Sequence, residues 1–104
     1  MSLNETERRR TSEELRANLT LSGLTVEEVA ADLGVTPDQV RRILDVTDGA
    51  GPAEVWQLRD YLDRAVRDTG GRPAPFTVLT GRARLLARAW FTLPQAPRHD
   101  FTRR

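Results

Sequence analysis

The chain has 104 residues, 16 of them basic and 15 acidic, a net charge of +1 and no cysteine. This length suits one domain that buries a core without covalent staples, and the absence of thiols excludes disulfides and thiolate metal sites. No apolar run approaches the ~20 residues of a membrane span, and residues 1–10 are too polar for a leader peptide, so the expected location is the cytoplasm.

The near-neutral total hides a separation of charge. All 16 basic residues are arginine. Residues 25–48 carry a net −4, residues 49–71 a net −1, and residues 72–104 a net +6. Positive charge therefore collects toward the C-terminal end.

In chain order, the first expected helix spans about 5–21. Asn4 and Thr11 are both possible starts, Thr11 with Glu14 fitting a capping box, and a kink near Thr11 would reconcile them. Leu15, Leu19 and Leu21 give the apolar stripe and Gly23 ends it. Thr25 and Glu28 form another capping box before a helix at 26–33, in which Val26, Val29, Ala30 and Leu33 recur at helical spacing. Gly34 suits the left-handed residue that closes a helix. Thr36, Pro37 and Gln39 supply cap, first-turn proline and capping partner for a helix at 37–45, with Val40, Ile43 and Leu44 inward. Residues 48–51 form a loop. Pro52 opens a fourth helix, Gly70 and Gly71 close it, and Val55, Leu58, Leu62, Ala65 and Val66 make its stripe, flanked by Trp56 and Tyr61. A Gly/Pro linker at 71–75 leads to Thr80, which caps a fifth helix at 81–91 with Leu85, Leu86, Ala89 and Trp90 apolar. Pro94 and Pro97 end regular structure and leave 94–104 as a loose tail.

Residues 25–45 have the pattern of a helix-turn-helix. Two helices joined by a short turn cross steeply, so Ala30 must be small, Gly34 must take a backbone angle other residues resist, and Val29, Leu33, Val35, Val40 and Ile43 must share a core. The stretch from Leu24 to Ile43, with the helix opened by Pro52, resembles the lambda-repressor/Cro-like fold. The whole chain is also similar, over about residues 2–93, to a family of short bacterial proteins of unknown function. That similarity rests on S-G-L-T-V-E-E-V-A-A-D-L-G (22–34), V-W-Q-L-R-D-Y-L (55–62), P-A-P-F-T-V-L-T (73–80) and W-F-T-L (90–93). The resemblance implies an all-α fold of about five helices, a repressor-like unit with an extra C-terminal helix, in a single domain over 1–93. Two departures stand out. The glutamine that contacts a phosphate at the start of the second repressor helix is Val26 here, and the positions of an arginine–glutamate pair are Leu19 and Leu44.

In such a unit the second helix enters the major groove. Its outward residues here are Thr36, Asp38, Gln39, Arg41, Arg42 and Asp45. Arginine can read guanine and glutamine can read adenine, while Thr36 can hold a phosphate. Against this, Asp38 with Arg42 and Arg41 with Asp45 have the i,i+4 spacing of self-satisfied surface pairs, and a segment at −4 is poorly placed for phosphates. Arg8, Arg9 and Arg10 lie among Glu5, Glu7, Glu13 and Glu14. Arg82, Arg84 and Arg88 on the fifth helix are the least neutralised basic stripe and a second contact candidate.

Trp56, Tyr61, Trp90 and Phe91 read as core between helices 4 and 5, with Trp90, Phe91 and Leu93 also a candidate homodimer surface. Catalysis has no support: the sole histidine, His99, lies in the tail, and there is no cysteine nucleophile, glycine-rich phosphate loop or helical metal-binding histidine pair. The expected function is duplex-DNA binding by a transcriptional regulator. The alternative is a protein-interaction module on a degenerate helix-turn-helix scaffold, and a structural homodimer comes third.

Overall fold

The structure, a computed structural model, describes residues 3–47, 50–90, 93 and 95–103, and the side chains of Trp90 and Arg103 lie outside that description. Five α-helices run through it: α1 (Glu5–Ser22), α2 (Val26–Leu33), α3 (Pro37–Leu44), α4 (Pro52–Asp68) and α5 (Gly81–Trp90), with a 3-10 turn at Phe101–Arg103 and no strand among the described residues. The all-α class and the number of helices agree with the sequence reading.

α1 is one uninterrupted helix. Asn4 caps it, accepting from the Glu7 N–H at 2.8 Å while the Glu7 carboxylate accepts from the Asn4 N–H at 3.1 Å. Thr11, the alternative start, is instead fully buried within the helix, and its hydroxyl donates to the Glu7 carbonyl at 2.8 Å. That bond lets a hydroxyl sit among apolar neighbours without an unmet donor. The expected Thr11–Glu14 box is therefore not formed. The Glu14 carboxylate reaches the linker, accepting from the Thr77 N–H at 3.0 Å and the Thr77 hydroxyl at 2.7 Å. One turn later the buried Asn18 pairs with both backbone groups of Ala74, accepting from its N–H at 2.9 Å and donating to its carbonyl at 3.1 Å. These bonds anchor the 71–80 linker along α1.

The capping boxes of α2 and α3 form as the sequence leads one to expect. Thr25 accepts from Glu28 N–H at 3.1 Å, and Thr36 accepts from Gln39 N–H at 3.2 Å. Gly34 ends α2 at φ +71°, left-handed, and the following Val35 N–H returns to the Ala30 carbonyl at 3.0 Å. Glycine meets this angle without the strain a side chain brings. α3 ends on a costlier residue. Val46 takes φ +51°, unusual for a β-branched side chain. It is buried, and its carbonyl accepts from Arg8 Nε at 3.1 Å, so packing and one long-range bond offset the strain.

The core gathers Leu15 of α1, Val29 and Ala30 of α2, Val40, Ile43 and Leu44 of α3, and Val55, Leu58, Tyr61 and Leu62 of α4. α1 packs along α4 and α2 against α3, while α3 also meets α4 and α1. Leu15, Leu44, Leu58 and Leu62 are wholly removed from water. Each such burial stabilises by about 1.5–3 kcal/mol. Leu19 is half-buried against the same cluster.

α5 is joined to this body differently from the sequence expectation. Its buried contacts are Leu79 just before the helix and Ala87, with Ala83 half-buried, whereas Leu85 and Leu86 are 69% and 55% exposed. Positions 83 and 87 are one turn apart and present small side chains, so the alanine ladder faces inward and turns the leucines out. Trp56 and Tyr61 are buried as expected. The expected packing of Trp90 and Phe91 falls on side chains outside the described residues.

Candidate nucleic-acid interface

α3 separates its residues by helical period. Val40, Ile43 and Leu44 are buried, and Thr36, Asp38, Gln39, Arg41 and Arg42 are all exposed along the outer face. The inner face is fixed in the core and the first turn is fixed by the Thr36 cap, so the outer residues are carried on a rigid support.

Their charges pair both along the helix and across to neighbouring elements. Arg41 bonds Asp38 at 3.0 Å and crosses to Glu27 at the start of α2 at 3.2 Å. Asp45 is taken by Arg16 of α1. The two expected i,i+4 pairs are thus replaced: a partner on the neighbouring helix captures Asp45, and Asp38 and Glu27 together occupy Arg41. This leaves Arg42 without an ion pair among the described residues. Such exposed pairs are worth only about 0–1 kcal/mol, so Arg41 is available to a stronger acceptor. Gln39 turns its amide oxygen back onto the Thr36 N–H at 3.0 Å, and reading an adenine would require it to leave that cap.

The α5 arginines divide. Arg82 and Arg88 are exposed and have no ion pair among the described residues. Arg84 is turned toward α4, bonded to Asp60 and stacked over Trp56 with its guanidinium 4.8 Å from the ring centre. Asp60 also holds Arg59 at 3.1 Å, and Arg59 lies 4.5 Å over the Phe76 ring. Arg84 is therefore an internal residue of the α4–α5 junction, not part of a free stripe. At the N-terminus Arg9 lies 3.7 Å from Glu5, and Arg8 reaches Val46 as described.

A polar cluster absent from the sequence reading joins α2, α4 and the C-terminal residues. The Tyr61 hydroxyl donates to Asp32 Oδ2 at 2.5 Å, and His99 Nδ1 meets the same oxygen at 2.6 Å. His99 Nε2 faces Glu28 at 4.0 Å, so both ring nitrogens are directed at carboxylates of the protein itself. Burial first, then the Asp32 bond and the charges of Asp32 and Glu28, push the Tyr61 phenol far above its ordinary range, so it remains a donor. Residues 95–103, read from their prolines as a loose tail, lie against the body through this histidine, through Phe101, which packs against the core and stands edge-on to His99 at 4.6 Å, and through a two-pronged Arg98–Asp68 pair at 2.8 and 2.9 Å. The Arg98 bond holds the Asp68 carboxyl below its usual range. The available signal was Tyr61: a buried phenol needs a partner for its hydroxyl.

Among the described residues no three His, Asp or Glu side chains converge as metal ligands, and no helix is long and apolar enough to cross a membrane.

The fold defines a small all-helical protein, with the outer side of α3 exposed. Over residues 1–92 the sequence matches the family described as uncharacterized protein conserved in bacteria (DUF2316), and the chain belongs to that family. No curated protein and no solved structure matches it.

Proposed function

We propose that the protein is a helix-turn-helix DNA-binding protein, a transcriptional regulator of the bacterial cytoplasm, in which α2 and α3 form the unit and α3 enters the major groove. One observation carries this reading: Thr36, Asp38, Gln39, Arg41 and Arg42 form an exposed row on a short helix that is capped at its start and buried on its other side. Arg42 is open to a guanine edge, Arg41 can exchange two weak exposed pairs for a base or phosphate, and Thr36 stands beside the backbone. Binding needs no cofactor and involves no catalysis. A homodimer would present two such helices to paired half-sites, with the exposed leucines of α5 as its contact.

A second reading has its own support. Glu27 and Glu28 occupy the first turn of α2, where repressor-like proteins approach a phosphate, and acids there oppose DNA. The same face would then receive a partner protein. Fluorescence anisotropy with a labelled random duplex, titrated with salt, separates the two. The DNA reading expects binding at low salt that weakens with a shallow log–log slope of about 2–4, set by few phosphate contacts. No binding at low salt contradicts it and leaves the partner-protein reading.

A further inference from the structure

Between α4, α5 and the residues Leu93, Gln95 and Ala96 lies a cleft of about 540 Å³. Its walls carry Arg59 and Arg64 from α4 and Arg84 and Arg88 from α5, against only Asp60 and Asp63. The acids are already occupied. Asp60 serves Arg59 and Arg84, and Asp63 accepts from Arg67 at 3.0 Å. Arg64 and Arg88 thus line the cleft with no carboxylate at ion-pair distance among the described residues.

We infer that this cleft binds a small organic dianion, two negative charges on phosphate or carboxylate oxygens at one end of a short apolar body. Guanidinium forks match carboxylate and phosphate oxygens in paired geometry, and four arginines against two aspartates leave the cleft two positive charges in excess, which call for two negative ones. The inner arginines are already ordered: Arg84 is stacked on Trp56 and Arg59 on Phe76, so little side-chain freedom is lost when an anion arrives. Leu93 and Ala96 give the cleft an apolar side. The Gln95 carbonyl accepts from Gln57 at 3.4 Å, which ties that segment to α4. The size falls within the ~300–1,000 Å³ of small-molecule sites. The inference is independent of what α3 contacts.

The test is isothermal titration calorimetry of the full chain with phenyl phosphate and with phthalate at fixed ionic strength, with phenol as the uncharged control. One saturable site per chain is expected for at least one dianion and none for phenol. The stronger of the two probes identifies the head group as phosphate or dicarboxylate. Arg64→Gln and Arg88→Gln each weaken binding by about tenfold or more, while Arg72→Gln, outside the cleft, leaves it unchanged. Arg41→Glu also leaves it unchanged, which keeps this site separate from the α3 face. Absence of a saturable site, binding indifferent to both cleft variants, or binding confined to duplex DNA would overturn the inference.

Discussion

Tyr61 is the only tyrosine in the chain, so its ionisation can be followed without interference from another phenol. Its pKa in the folded protein is raised by burial and by Asp32, whereas the unfolded value is about 10. The folded state therefore favours the protonated phenol. Its contribution to stability is whole below about pH 10 and is lost as pH rises above that value. Phenolate absorbance should stay absent in the native protein well past the pH at which it appears in urea. A native phenolate titrating near the unfolded midpoint would refute the buried Asp32 bond. Tyr61→Phe should remove the alkaline loss and cost about 1 kcal/mol at neutral pH, read from urea unfolding. Asp68 behaves in the opposite sense. Its lowered pKa adds stability above the ordinary carboxylate range that disappears on acidification, and Asp68→Asn should flatten that acid limb. Neither cluster was legible from sequence, because the partners lie 29, 67 and 30 positions apart and no local pattern links them.

At the scale of the element, capping chemistry is what made α2 and α3 readable. Cap, first-turn proline and capping partner are all local, and the structure ends and begins these helices within a residue of the expected bounds. Thr36→Ala should destabilise the protein by about 1 kcal/mol in chemical denaturation, and an unchanged midpoint would mean the cap adds nothing. The side-chain pairs were less legible. Spacing suggested Asp38–Arg42 and Arg41–Asp45, but neighbouring helices supplied Glu27 and Arg16, which sequence distance conceals. This bears on function. Under the DNA proposal, Glu27→Gln removes one of the two partners of Arg41 and a charge that repels phosphate, so random-duplex affinity at low salt should rise several-fold, about what one like-charge contact costs near a surface. Unchanged or weaker anisotropy binding would argue that Arg41 has no DNA role.

Over the whole molecule, the core and the α2–α3 unit followed from apolar periodicity, while the placement of α5 and of residues 95–103 did not. In α5 both an alanine ladder and a leucine pair have helical spacing, and periodicity alone does not say which faces inward. The tail carries no periodicity at all, yet Arg98 and His99 bond the carboxylates of Asp68 and Asp32, and Phe101 packs against the core. Ending the chain after Ala96 should lower the thermal midpoint by several degrees, on the scale of ~4–8 °C per kcal/mol for a chain this small. An unaltered midpoint would show that the contacts contribute nothing net. The most direct test of the proposed DNA face is anisotropy of wild-type and Arg41→Glu/Arg42→Glu proteins on a labelled duplex at low salt, with circular dichroism to verify folding. The account predicts that the folded variant loses duplex binding while the wild type binds. Equal binding by both would contradict it, because α3 would then not be the surface that meets DNA.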